Sequence, residues 1–226
     1  MREVALDTET TGLDPESGDR LVEIACVELI NHQPTENYFH KYVNPLRDVP
    51  EEAVRIHGLT REFLADKPLF EEIVEDFLAF VGDAPIVAHN ASFDVNFINA
   101  ELKRCNRATI PADRAIDTLK IAKERFPGAR NTLDALCQRF GIDNTQRTLH
   151  GALLDTRLLA EVYLELNGGR EPGLAFAAET ESAGPLATIV VNRPFREPRP
   201  HAATAEELAA FEAFLDKIPD PIWRKG

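Results

Sequence analysis

Val4-Ala5-Leu6-Asp7-Thr8-Glu9-Thr10-Thr11-Gly12 joins a short apolar run to two carboxylates and a glycine turn. Val4 to Leu6 reads as a strand buried on both faces. Residues two apart on a strand share a face, so Asp7 and Glu9 present their carboxylates side by side at its end. Like charges that close are unfavourable unless positive charge stands between them. A hard divalent cation such as Mg²⁺ or Mn²⁺ suits an all-oxygen pair. A solvated turn punctuated by Gly12 and Pro15 is the competing reading of so short a motif.

The rest of the chain must decide. Its 226 residues suffice for one domain and an appendage. Glu3 and Asp7 come too early for a signal peptide. No apolar run approaches the roughly 18–20 residues of a membrane span, and a cytoplasmic protein is expected. Cys26, Cys105 and Cys137 are far apart and in no CxxC pair, which predicts free, buried thiols in a reducing compartment. Net charge is −13. Residues 1–169 carry 18 Lys+Arg against 29 Asp+Glu, a balance of −11, and residues 170–226 carry 7 against 9, a balance of −2. Phosphate contacts need Lys and Arg. Work on nucleic acid would therefore depend on a local site, bound metal or a partner.

Arg20 to Ile30 alternates as a strand of mixed burial, with Val22, Ile24 and Cys26 on one face. Asn31-His32-Gln33-Pro34 supplies a turn, and Glu36 to Val43 reads as a third strand. Three strands with short turns predict an antiparallel meander. Residues 45–68 are loops and short helices between prolines; Glu52 and His57 lie there and, by pattern alone, are solvated or satisfied polar groups. The spacing of Phe70, Ile73, Val74, Phe77, Leu78 and Val81 predicts an amphipathic helix over 69–81. A buried strand over 85–90 precedes a helix over 92–104, with Asn90 or Ser92 as cap and Asp94 in its first turn. The helix dipole alone would account for Asp94, but strand-to-helix junctions also carry functional groups. A strand at 115–117, a helix over 118–125 and a helix over 131–140 capped by Asn131 follow. The longest helix opens near His150 and runs to Leu166. Asp155 lies beside its apolar stripe, where an unpartnered carboxylate is costly.

Asp7-x-Glu9, Asp94 within His89-Asn90-Ala91-Ser92-Phe93-Asp94, and His150-x4-Asp155 together resemble the DEDDh family of 3′–5′ exonucleases, in the ribonuclease H-like superfamily. Leu6 to Gly12, Arg147 to Asp155 and Ala160 to Leu164 look like the proofreading, epsilon-type branch of that family, which serves bacterial DNA polymerase III. The resemblance covers about residues 2–170. It implies an α/β fold: a ribonuclease H-like mixed sheet flanked by helices, its first three strands antiparallel. It implies two divalent cations, Mg²⁺ or Mn²⁺, on Asp7, Glu9, Asp94 and Asp155, and His150 as general base. It also implies a terminal nucleotide contacted by Glu52 and His57, beside Asp7, Glu9 and Asp155. Metals in an acidic site reconcile the charge of the chain with a phosphate substrate.

Residues 170–203 change character. Ala177 to Pro185 reads as a flexible linker. Before it, Glu171-Pro172-Gly173-Leu174-Ala175-Phe176 resembles the family's sliding-clamp motif, with Glu171 in place of Gln and Leu174 and Phe176 as apolar anchors. Thr204-Ala205-Glu206-Glu207 is a capping box. Leu208, Phe211, Leu215 and Ile218, with Phe214, then line an apolar face, and Trp223 follows as an interface anchor. The expected organisation is an exonuclease domain over 1–169, a clamp-motif segment and linker over 170–203, and a polymerase-binding helix over 204–226. The resemblance implies the polymerase (alpha) subunit, the sliding clamp, a small theta-like subunit and a frayed 3′ DNA end as partners, within the nucleoid-associated replisome. An RNA-directed relative and a non-catalytic module that stabilises the polymerase are the alternative readings.

Overall fold

The computed structural model describes residues 1–145, 147, 149–169 and 202–224. Its contacts divide the chain into two compact units, Met1–Phe176 and Ala177–Gly226. The first is built on five strands: β1 (Arg2–Thr10), β2 (Leu21–Ile30), β3 (Gln33–Tyr42), β4 (Ile86–Ala88) and β5 (Ala115–Asp117). Their order is β3-β2-β1-β4-β5. The first three pair antiparallel, as the sequence predicts, and β4 and β5 extend the sheet in parallel from β1.

Local chemistry explains the meander. Asn31 and His32 both take positive φ, 52° and 67°, in the two-residue turn whose twist matches antiparallel strands. β3 starts at Gln33, three residues before the predicted Glu36, because β3 is an edge strand and tolerates Pro34 there. β2 departs from its predicted mixed burial: Leu21 to Val27 are buried without a break, since both faces of this inner strand are covered.

The helices of this unit are α1 (Glu51–His57), α2 (Arg61–Leu64), α3 (Phe70–Val81), α4 (Ala91–Arg104), α5 (Thr118–Arg125), α6 (Leu133–Phe140) and α7 (Ala152–Leu166). The stripe Phe70, Ile73, Val74, Phe77 and Val81 packs against Val4, Leu6, Ile24 and Cys26, with Ile98 and Leu102 of α4 in the same cluster. Phe77 is fully buried, and truncating it to alanine is expected to cost about 3–5 kcal/mol. On the opposite face Ala5, Val27 and Val87 pack against Ala160 and Tyr163 of α7. The even residues of β1 thus face α3 and α4, and its odd residues face α7. The buried Glu101 of α4 accepts from Nε and Nη2 of Arg20 at 2.6 and 2.9 Å, which ties α4 to the start of β2.

Two caps differ from expectation. Asn90 precedes α4 in a left-handed conformation (φ 71°) with no side-chain capping bond, and Ser92 lies inside the helix. Thr132, in place of Asn131, caps α6 by accepting from the Ala135 N–H. Asn131 instead donates to the Phe126 carbonyl and accepts from Arg139. Cys26 and Cys137 are buried free thiols; Cys105 is only partly buried.

In the second unit α8 (Ala205–Leu215) opens on the predicted capping box of Thr204 and Glu207. Leu208, Phe211, Phe214 and Trp223 are exposed, Ile218 is partly buried and Leu215 is buried. Glu171, Leu174, Phe176 and the 177–185 segment lie outside the described residues. Among those described, no helix is long and apolar enough to cross a membrane.

Candidate active site

The alternation of β1 sends Asp7 and Glu9 towards the face that α7 covers. Asp155, in the first turn of α7, meets them there. One ligand atom each from Glu9, His150 and Asp155 lies within 4.8 Å of the others. Asp94 arrives from the first turn of α4 and accepts a 2.7 Å hydrogen bond from the Thr8 hydroxyl. Asp7 completes the cluster, close enough to Asp94, Glu9 and Asp155 to feel all three charges. Four acidic residues from three distant points of the chain, β1, α4 and α7, therefore lie within electrostatic reach of one another at the C-terminal end of β1.

Their electrostatics are those of a site with too much negative charge. Burial, then the charges of Asp94, Glu9 and Asp155, raise Asp7 well above the ordinary carboxylate range, against the opposing pull of Arg147. Burial, then Glu23, Asp155 and Asp94, push Glu9 up to about 8. Burial also pushes Asp94 up to about 7, although the hydrogen bond from Thr8 opposes it. Burial raises Asp155 too, but His150 and Arg147 beside it outweigh that and leave it lowered. An all-carboxylate set of this kind matches the oxygen preference of hard divalent cations, and such a charge would reverse the three upward shifts.

Arg147 is the cation that the site does contain. Its side chain is 8% exposed, and its Nε and Nη2 donate to the two oxygens of Asp155 at 2.5 and 2.6 Å. Nη2 also reaches Nδ1 of His150 at 2.7 Å, and Nη1 pairs with Asp134 at 2.8 Å. Nδ1 of His150 lies 3.3 Å from the Asp155 carboxylate as well. A guanidinium only donates. Nδ1 therefore accepts from Arg147 in this arrangement. The His150 backbone N–H donates to the Ile56 carbonyl at 3.0 Å, which anchors this segment on α1. Gly58 sits beside that junction at φ +77°, where a Cβ would come within 2.9 Å of Leu149.

A cavity of about 430 Å³ opens beside the cluster, lined by Glu9, Thr11, Leu13, Ile56, His57 and Phe93 among others. Glu52, exposed, and His57, buried, both line it. Nδ1 of His57 accepts from the Leu59 N–H at 3.0 Å. Its buried Nε2 has no hydrogen-bond partner among the described residues. Burial lowers the affinity of this imidazole for a proton. The cavity floor is closed by Asp19, whose carboxyl group leaves no room for a side chain at Gly12.

Sequence reasoning singled out Asp7, Glu9, Asp94, His150 and Asp155, and the fold brings them together, with Glu52 and His57 on the adjoining cavity. It missed Thr8, Glu23, Asp134 and Arg147. Glu23 pairs with Glu9 across the β1–β2 ladder and is held by Nε2 of His40 at 2.7 Å. The strand register could have revealed Glu23, and a lone basic residue just ahead of His150 could have drawn attention to Arg147. Asp134 carries no sequence signal for its part.

Comparison with known proteins agrees with this geometry. A family profile described as Exonuclease matches residues 4–163. The chain is 48% identical to the DNA polymerase III subunit epsilon of Rickettsia felis, over 96% of its own length and 97% of that protein. It is 44% identical to the subunit of the same name from Escherichia coli K12, over 96% and 93%. Among solved structures, Exonuclease X in complex with 5′ overhanging duplex DNA is similar at 30% identity and a TM-score of 0.55, over 72% of this chain and 89% of that one. The nuclease domain of 3′hExo, a DEDDh family member bound to rAMP, is similar at 20% identity and a TM-score of 0.63, over 74% and 92%, and speaks for the fold alone.

Proposed function

The chain belongs to the Exonuclease family and is a 3′–5′ exonuclease of the DNA polymerase III epsilon type; from that premise we propose that it removes mispaired 3′-terminal nucleotides from DNA as the proofreading member of the replicative polymerase. The observation that carries this reading is the meeting of Asp7, Glu9, Asp94 and Asp155 with His150 at one end of β1.

Enzymes of the DEDDh family use divalent metal ions. Here we assign two, Mg²⁺ or Mn²⁺, to the four carboxylates. When bound, such ions neutralise phosphate charge and make water a strong nucleophile near neutral pH. The protein's own groups do the rest. Asp7, Glu9, Asp94 and Asp155 would hold the ions, which would supply positive charge at the reacting phosphate. One ring nitrogen of His150 takes the proton of the attacking water. Water oxygen bonds to phosphorus, the bond to the 3′ oxygen of the preceding nucleotide breaks, and a 5′-mononucleotide leaves. The cavity beside the cluster suits one terminal nucleotide, with Ile56 and Phe93 as apolar walls and Glu52 and His57 in its polar lining.

The exposed Leu208, Phe211, Phe214 and Trp223 support a second assignment: α8 docks on the polymerase (alpha) subunit. A helix this short is marginal alone, and clustered exposed aromatic residues mark interfaces. Glu171, Leu174 and Phe176 remain the candidate clamp contact, and a theta-like subunit a further partner, in a cytoplasmic, nucleoid-associated replisome. Two experiments test the proposal. A 3′-mismatched primer incubated with the protein should shorten stepwise with Mg²⁺ and stay intact with EDTA; shortening in EDTA would refute the metal assignment. A chain lacking residues 177–226 should still degrade the primer but no longer co-elute with the polymerase subunit; retained co-elution would refute the role of α8.

A further inference from the structure

The chemistry above gives Arg147 no task, yet its guanidinium is fully committed within the site. Its fork covers both oxygens of Asp155 at 2.5 and 2.6 Å, the atoms a cation would need. It also donates to Nδ1 of His150 at 2.7 Å, which puts the proton of the neutral ring on Nε2 and leaves neither nitrogen open to take another. One side chain thus withdraws a metal-binding carboxylate and the candidate base together. The same charge offsets the repulsion among Asp7, Glu9 and Asp155. Its remaining partner, Asp134, lies at the rim of this cluster, half exposed, 2.8 Å from Nη1, and can keep the guanidinium after it leaves Asp155.

We propose that Arg147 is a placeholder cation: it holds the acidic cluster together before metal enters, and a divalent cation must displace it from Asp155 to bind. Metal uptake and release of His150 are then one event, and the hydrolytic constellation is assembled only in the metal-loaded protein. The inference rests on the reading of Asp155 as a metal ligand. Two positive groups compete for one carboxylate, and a bidentate arginine–carboxylate pair is a strong competitor. The apparent metal affinity is reduced by the fraction of protein in which Asp155 is free. For a pair this well formed that fraction is roughly one in ten.

The test is Mn²⁺ binding to the full chain without substrate, followed by the electron paramagnetic resonance signal of free Mn²⁺. Four proteins are compared: wild type, Arg147→Gln, Arg147→Lys and Asp155→Asn. Asp155→Asn should lose most binding. Arg147→Gln should bind roughly ten-fold more tightly than wild type, and Arg147→Lys should fall between them, because an ammonium cannot form the fork. In EDTA, Arg147→Gln should melt below wild type, and Mn²⁺ should raise its Tm by the larger amount. If Asp155→Asn binds as wild type does, the metal-site reading fails and the placeholder with it. If Asp155→Asn loses binding while Arg147→Gln binds equally or more weakly, only the placeholder fails, and Arg147 is then a positioning residue for Asp155. A measurement on wild type alone removes dependence on the variants' folding. The Arg147 Nε–H resonance, set by its bond to Asp155, should move on saturation with Mg²⁺; an unmoved resonance overturns the proposal.

Discussion

The two ends of β1 handle buried carboxylates in opposite ways. Glu3, Asp7 and Glu9 all lie on the strand face that α7 covers. Four residues of strand separate Glu3 from Asp7, about 13 Å. Eight residues of helix separate Tyr163 from Asp155, about 12 Å, so one helix serves both ends. At the Glu3 end the carboxylate is 1% exposed, with one oxygen hydrogen-bonded and the other set against a histidine without hydrogen-bond geometry. Oε1 accepts from the Tyr163 hydroxyl at 2.8 Å, and Oε2 lies 2.8 Å from Nδ1 of His32. At the Asp7 end several carboxylates share too few donors, and three are pushed upward. One end is paired within the chain, and the other is the end where we propose that a cation completes the cluster. The proposed function sits at that unfinished end, where the fold accepts a local cost.

The largest expected effect follows from breaking the unfinished end. Asp7→Ala or Asp155→Ala should lower exonuclease turnover by at least about 10³-fold, because metal binding contributes several kcal/mol to the transition state. Single-turnover degradation of a mismatched primer reads this directly, and a loss of under ten-fold would remove either residue from the ligand set. His150→Ala should retain Mn²⁺ while slowing the reaction by about 10²–10⁴-fold. An unchanged rate at neutral pH would show that another group takes the proton.

How much of this contrast is legible in the sequence depends on the range of each interaction. Asp7 and Glu9 were readable because strand alternation and adjacency are local properties. The α3 stripe was readable for the same reason, as were the capping box at Thr204 and the presence of a turn after Ile30, though not its two-residue length. The convergence of Asp94 and Asp155 on β1 is tertiary, and only the family resemblance supplied it. Burial of both β2 faces depends on which strands flank it, which periodicity cannot state. Asn90 is legible as the residue that precedes α4, though not its lack of a capping bond, and Thr132 is one residue from the expected Asn131, since neighbouring polar residues could equally fill that position. The closed pair at the other end was invisible: Glu3 and Tyr163 are 160 residues apart, and a lone glutamate in a charged chain draws no attention.

A smaller effect distinguishes the ends by pH. A carboxylate whose folded pKa is raised keeps its proton in the native state after the unfolded chain has lost it. The native state then loses relative stability as pH rises through that window. For Glu9 the window runs from its ordinary 4.5 to about 8, and for Asp94 from 3.8 to about 7. In EDTA the protein should therefore lose stability, on the order of several kcal/mol, between about pH 5 and pH 8. Saturating Mn²⁺ should abolish that slope, since the cation stabilises the charged forms. Thermal melts across this range with and without chelator make the measurement. A flat profile in EDTA would mean that the cluster is already neutralised from within.

The smallest effect is expected at the closed end. Tyr163→Phe removes the hydroxyl that donates to Oε1 of Glu3 and leaves the ring in its place against His32, whose centroid is 5.3 Å away. The aromatic packing survives, so the cost is that of one buried carboxylate bond left unmade, about 1–2 kcal/mol. For a domain of this size that lowers Tm by roughly 3–6 °C. Exonuclease turnover below the melting range should not change, because the lost bond lies a strand's length from Asp7. A Tm loss with unaltered turnover would confirm that the two carboxylate sites are independent. Turnover that falls while Tm holds would mean that α7 transmits the state of Glu3 to Asp155, and the division of β1 into a closed and an unfinished end would have to be given up.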